Sequence, residues 1–406
     1  MASLATTASF PGSSTRHSSA RRTLLVAGFA HALHDGYTDL IYILLPIWQA
    51  EFALGYGVLA LVRGLYTGAM AGLQIPASRL SERVGGRVML ALGTALAGCG
   101  YALAGFSGGL LGLCVALALS GAGSSTQHPV ASAAVSHAYG GAARGPLGVY
   151  NFSGDLGKAA IPAATSVLLT LMPWRSVLCV LAMLGIVVAL AVGLLMPAPK
   201  LGHAQIPETG KGKQAGKGRG GFSLLFAIGV LDSAVRMGFL TFLPFLLKEK
   251  GASLPDVGFA LALVFIGGAA GKFACGWLGA RLGVLCTVVA TEAGTAAAIV
   301  AVLVSPLVLS LLVLPLLGVM LNGTSSVLYG TVPELAPPDG ADRAFALFYT
   351  GTIGSGAIAP VLFGVLGDIA GAHWAAAGTA ATAAMTLPLA LAPQLQPEVR
   401  IGSMAR

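Results

Sequence analysis

The sequence predicts an all-α membrane protein with twelve transmembrane helices in two six-helix, pseudo-symmetric halves. Three observations predict it. Only 9% of the residues are charged and mean hydropathy is +0.83, against about 25% charged in soluble domains, so the chain cannot cover a soluble surface. Breaking it at Gly, Pro and charge clusters leaves twelve apolar runs near the ~20 residues a spanning helix needs. Landmarks also recur at one offset: Pro46, Glu51, Arg83, Gly85 and Pro162 are each matched 198 residues later, by Pro244, Glu249, Arg281, Gly283 and Pro360. Tyr150 and Tyr349 nearly keep the interval. Two parallel repeats place a substrate site between them near the bilayer midplane.

In order, residues 1–22 are Ser/Thr/Ala-rich with Arg16, Arg21 and Arg22, and read as a disordered cytoplasmic tail. The run that follows is too long for a signal h-region, so it is expected to be a retained first span. The first bundle covers 23–197, with spans at 24–49, 57–79, 87–106, 109–136, 145–171 and 174–196. Residues 198–221 are rich in Gly and Lys and read as a cytoplasmic linker. The second bundle covers 222–394, with spans at 222–247, 255–279, 283–304, 306–331, 343–367 and 373–393, before a cytoplasmic tail at 395–406.

Orientation follows from the basic residues. With the N-terminus inside, the outer segments hold only Arg175, Lys248 and Lys250, while sixteen Lys and Arg fall in inner segments. Both termini are expected in the cytoplasm. This bias accounts for the net charge of +8 through a basic inner face beside anionic lipid, with no nucleic-acid partner. The five cysteines (Cys99, Cys114, Cys179, Cys275, Cys286) lie in apolar runs without metal-ligand spacing and read as buried small hydrophobes. No G-x-x-x-x-G-K-[ST] motif is present, so nucleotide hydrolysis is not expected. No metal, no cofactor and no enzymatic activity are expected, and the protein is read as a monomer.

Ionisable residues inside the apolar runs carry the functional expectation, because a charge near the bilayer centre costs roughly 3 kcal/mol or more. The first span holds His31, His34, Asp35 and Asp39. His31, Asp35 and Asp39 repeat at i, i+4, i+8 and share one helical face. With His128 and Asp232 they are the candidates for proton coupling. Arg63, Gln127, Asn151, Asp155, Lys158, Arg236, Lys272 and Asn322 are candidates for substrate contact; the cations suit an anionic group. In each case a structural pair inside the bundle competes, such as Asp155 with Lys158 or Asp232 with Arg236.

Ser78–Arg87, SRLSERVGGR, resembles the loop between the second and third helices of the major facilitator superfamily. Glu82 stands for the acid of that motif, and Arg83, Gly85 and Arg87 match it. Gly276, Arg281 and Gly283 repeat it in the second half, where Ala280 replaces the acid. The resemblance implies that Ser78, Glu82, Arg83, Gly85, Arg87, Gly276, Arg281 and Gly283 form a gate, with acid and Arg paired at the cytoplasmic helix ends. Gly121–Ser132, GAGSSTQHPVAS, together with His31 and Asp35, resembles the fosmidomycin-resistance-like drug:proton antiporter group. That resemblance implies alternating-access transport of a small organic, possibly anionic, compound across a bacterial inner membrane by proton-coupled efflux. The alternative is a proton-coupled importer of a metabolite anion.

Overall fold

The computed structural model describes residues 12–197, 219–336 and 341–392. Within them the chain is helical and without strands. The first half contains α1 (Gly12–Phe52), α2 (Tyr56–Gly72), α3 (Gln74–Val84), α4 (Gly86–Gly105), α5 (Leu110–Ser124), α6 (Ser132–Tyr139), α7 (Arg144–Leu171) and α8 (Trp174–Leu195). The second contains α9 (Arg219–Glu249), α10 (Leu254–Leu282), α11 (Val284–Val304), α12 (Leu307–Leu335), α13 (Ala341–Ala370) and α14 (Ala372–Ala390). Among the described residues eight helical stretches, with Leu110–Ala142 taken as one, or nine if α2 and α3 form one broken span, are long and apolar enough to cross a membrane. Large apolar side chains such as Phe29, Leu111, Leu194, Val304 and Ile369 point outward, as a lipid-facing surface requires.

Two breaks fall at prolines. The run predicted at 57–79 is α2 and α3, bent by 44°. Pro76 sits in the first turn of α3 and has no N–H to donate back across the junction. The run predicted at 109–136 is α5, a π-helical turn over Gln127–Ala131, and α6. Pro129 lies inside that turn.

Three expectations are corrected. Helix α1 begins at Gly12, so 12–22 is helical where a disordered tail was expected; residues 1–11 lie outside the described residues. Likewise α9 begins at Arg219, inside the expected linker, and 198–218 and 393–406 lie outside the described residues. Cys99 and Cys286 are exposed on α4 and α11, and only Cys275 is buried.

The repeat is visible in the backbone. Gly85 and Gly283, 198 residues apart, both end a helix at positive φ, 88° and 83°, a conformation that disfavours any residue with a Cβ. Packing is close where small residues let backbones meet. A Cβ on Gly157 would lie 1.9 Å from the Ala32 carbonyl, holding α7 against α1. Across the halves, α7 packs on α10 and α2 on α13. The Asp368 carboxylate of α13 accepts from the Tyr56 and Gly57 N–H groups at 2.5 and 3.1 Å, an anion seated on the N-terminus of α2.

Candidate functional site

The face of α1 predicted from the i, i+4, i+8 spacing meets α7 across small residues. Gly154 is one of them: a Cβ there would lie 2.6 Å from Asp35 Oδ2 and 2.8 Å from His31 Nε2. This close approach brings Asp35 into the reach of three partners. His31 Nε2 lies 3.4 Å from Asp35 Oδ2, Lys158 Nζ 3.3 Å from the same oxygen, and His128 Nε2 3.9 Å from Oδ1. The His31 ring stacks on Tyr150 at 4.2 Å between centroids. Its Nδ1–H donates to the Tyr150 carbonyl at 2.8 Å, because a carbonyl can only accept. The other ring nitrogen, Nε2, therefore faces the Asp35 carboxylate, as a lone pair in the neutral ring or as N–H⁺ in the charged one.

A line of alternating charge leads away from Asp35. Lys158 Nζ is also 3.9 Å from Asp155 Oδ1. Asp155 in turn receives Lys272 Nζ at 2.6 and 2.7 Å, one contact to each oxygen. Asp35 lies on α1, Lys158 and Asp155 on α7, and Lys272 on α10, so the line crosses from the first half to the second. The two carboxylates are nearly buried, whereas the Lys158, Lys272 and His128 side chains are 31–39% exposed. The cations and His128 are thus the accessible members of the cluster and the carboxylates its buried ones.

His34 lies on another face of α1 and in another network. Thr94 Oγ1 spends its proton on the Leu90 carbonyl at 2.8 Å. It therefore accepts from His34 Nε2–H at 3.0 Å. His34 Nδ1 then accepts from Ser124 Oγ at 2.9 Å, and Tyr66 donates to Ser124 at 2.8 Å. Every proton in this buried chain is assigned with a neutral imidazole, which ties α1 to α2, α4 and α5.

The second half has its own polar centre. Arg236 Nη1 donates to Ser325 Oγ at 3.1 Å and Ser325 donates to Asp232 at 2.9 Å. The expected Asp232–Arg236 pair is thus bridged by a hydroxyl from α12. Asp232 also meets the buried Glu292. These two residues stand 198 positions after His34 and Thr94, so the repeat reproduces the contact with different chemistry. That offset, applied to every polar residue, is the signal that finds Thr94 and Glu292.

Other candidates separate from the cluster. Asn151 is exposed on α7, and Asn322 donates to the Gly318 carbonyl of its own helix at 3.3 Å. Gln127 is buried behind the site, its amide 3.3 Å from the Tyr150 hydroxyl. Arg63 is buried against Tyr42 and Met237. At the gate, Glu82 and Arg83 are exposed and form no ion pair among the described residues, which corrects the expected acid–Arg pairing. Arg281 stacks on Trp277 of its own helix at 4.5 Å. One three-residue group, His31, Asp35 and His128, brings its ligand atoms within 4.8 Å of one another and has the donor types of a cation site. Lys158 already supplies positive charge there.

Two helical halves with an ionisable cluster between them define a multi-pass membrane carrier. The Major Facilitator Superfamily model matches residues 25–227 and 225–401, and the chain belongs to that family of transporters. No curated protein matches by sequence. Among solved structures, a bacterial homologue of the human lysosomal transporter Spinster, in an inward-facing and occupied conformation, superposes with a TM-score of 0.74 at 15% identity, covering 90% of this chain and 95% of that one. Its inward-facing, unoccupied form gives 0.75 at 15%, covering 91% and 96%. The human organic anion transporter MFSD10 (TETRAN) gives 0.62 at 16%, covering 91% and 99%. Family and fold place the protein among transporters that work by alternating access.

Proposed function

We propose that the protein is a proton-coupled carrier of a small organic compound, with Asp35 as the proton site and the Asp155–Lys272 contact as the link that the proton loosens. The observation that carries this reading is the continuous line Asp35, Lys158, Asp155, Lys272 from α1 to α10. When Asp35 is ionised, Lys158 is shared between Asp35 and Asp155. A proton on Asp35 removes one of its two anchors. Lys158 then turns fully to Asp155 and competes with Lys272 for the same carboxylate. The contact between α7 and α10 weakens, and the halves are released to rock. His31 and His128 flank Asp35 and serve as the groups through which the proton arrives. His34, whose nitrogens are both engaged by neutral hydroxyls, holds helices together and takes no part in proton coupling.

In this reading the chain has twelve spans, with α2 and α3 forming one and α5 with α6 another. It sits in a bacterial inner membrane with both termini cytoplasmic. Export is the proposed direction, on the resemblance of Gly121–Ser132 to the drug:proton antiporter segment. The test is flux in proteoliposomes across a broad panel of organic ions. A pH gradient should drive transport by the wild-type protein. Asp35→Asn should abolish that drive while exchange of substrate without a gradient continues. Gradient-driven flux that survives Asp35→Asn would remove Asp35 from the coupling role.

A further inference from the structure

Apart from Glu292, which sits against the Asp232 carboxyl, two buried charged side chains, Arg63 and Asp39, stand without an ion-pair partner among the described residues. Lys158 lies against Asp35, Lys272 is seated on Asp155, and Arg236 reaches Asp232 through Ser325. Arg63 on α2 is only 2% exposed, yet no carboxylate lies within 4 Å of it among the described residues. Its guanidinium sits 4.3 Å over the Tyr42 ring, its Nη2 reaches the Met237 sulfur at 3.5 Å, and its Nε has no partner. Asp39 on α1 is 6% exposed and takes part in no ion pair or hydrogen bond among the described residues. Lys158, then Arg63 and more weakly Arg236 act on Asp39 electrostatically, and none of them lies within ion-pair distance of it.

We propose that Arg63 and Asp39 are the two ends of a binding site for a small zwitterion, a carboxylate-type group at Arg63 and a protonated amine at Asp39. This rests on the transport reading above and names the substrate class for it. Unpaired charges in a membrane interior are costly and mark substrate pathways. Met237 gives Arg63 only a thioether, a weak acceptor on a flexible chain. A carboxylate displacing that sulfur would form the charge-assisted, bidentate contact for which guanidinium is shaped. A ligand with an anionic group alone would leave Asp39 bare and add repulsion to it. A ligand with a cationic group alone would leave Arg63 bare. A zwitterion satisfies both and adds no net charge to a region of low dielectric. Met237 belongs to α9 and Arg63 and Asp39 to the first half, so such a ligand would touch both halves.

The test uses the purified full-length protein in lipid nanodiscs and a panel of small amino carboxylates. Each parent compound is compared with its N-acetyl derivative, which keeps the anion, and its carboxamide, which keeps the cation. Binding is read by intrinsic tryptophan fluorescence and by thermal shift. At least one parent should bind, and each derivative should bind about tenfold or more weakly, one lost charge-assisted contact. Arg63→Gln should erase the preference for the parent over its carboxamide. Asp39→Asn should erase the preference over the N-acetyl derivative. Arg63→Lys, which keeps the charge, should retain part of the carboxylate preference and shows that the site folds. An N-acetyl derivative or carboxamide that binds as well as its parent overturns the proposal, and so does a panel in which no parent binds. Gradient-driven flux of a compound lacking one of the two charges, unaffected by Arg63→Gln, would overturn the proposal and leave the transport reading standing. Zwitterion binding with no gradient-driven flux would overturn the transport reading alone.

Discussion

Asp155→Asn removes the charge at the junction of the two halves and keeps the shape of the side chain. Lys272 contacts both Asp155 oxygens, at 2.6 and 2.7 Å. Two unit charges with centres about 4 Å apart attract by ~4 kcal/mol at an effective dielectric near 20. The Lys272 side chain is 39% exposed, and solvent screening removes roughly half of that figure. About 2 kcal/mol remains, which corresponds to a ~30-fold shift between conformations that do and do not make the contact. The assay is spin-label distance measurement in nanodiscs, on a background with the five cysteines replaced. Labels go at Val84→Cys and Leu282→Cys, both exposed at the C-terminal ends of α3 and α10. Asp155→Asn should redistribute the inter-label distances, and Lys272→Met should do the same with no additional effect in the double variant. An unchanged distribution in Asp155→Asn would refute the role of this contact in holding the halves.

The remaining predictions concern groups outside the charged line. Thr94→Val removes the acceptor for His34 Nε2–H and leaves a buried donor unpaired, which should cost about 1–3 kcal/mol. Thermal unfolding in detergent should show the loss, while the dependence of flux on the pH gradient stays unchanged. Gly85→Ala adds a Cβ where no atom lies within 4 Å, but at φ +88°. The strain of that backbone conformation (φ 88°, ψ 137°), about 1–3 kcal/mol, should appear as lower thermal stability without loss of substrate binding. Gly258→Ala places a methyl 2.0 Å from Ser166 Oγ between α10 and α7. It should drive the same redistribution of label distances as Asp155→Asn, by steric contact instead of lost charge.

Much of the architecture was legible in the sequence because the bilayer restricts the choices. A run of ~20 apolar residues has few alternatives to a helix, and the 198-residue offset announced the two halves before any contact was seen. The bend before Pro76 and the π-helical turn at Pro129 divide two runs, 57–79 and 109–136, that the apolar pattern alone leaves unbroken. The shared face of His31, Asp35 and Asp39 followed from helical spacing alone. Partner choice did not follow. Lys158 reads from its own helix as the i, i+3 partner of Asp155, and only the packing of α7 on α1 across Gly154 and Gly157 gives it Asp35 as well. Lys272 offers no local acid, and its partner comes from 117 residues away. His34 is grouped from the sequence with His31, Asp35 and Asp39 as a proton-coupling candidate although it lies off their i, i+4, i+8 face, and its partners are the hydroxyls of Ser124 and Thr94. Glu82 and Arg83 match a loop motif, but adjacent side chains on a helix end point apart.

The most direct test of the coupling is the pH dependence of the Val84→Cys/Leu282→Cys distance distribution with Asp35 intact and with Asp35→Asn. With Asp35 present, acidification should shift the population toward the form in which the α7–α10 contact is broken. With Asn at that position the distribution should be fixed near the acidic form at every pH. A distribution that still moves with pH in Asp35→Asn, to the same extent as with Asp35, would contradict the account.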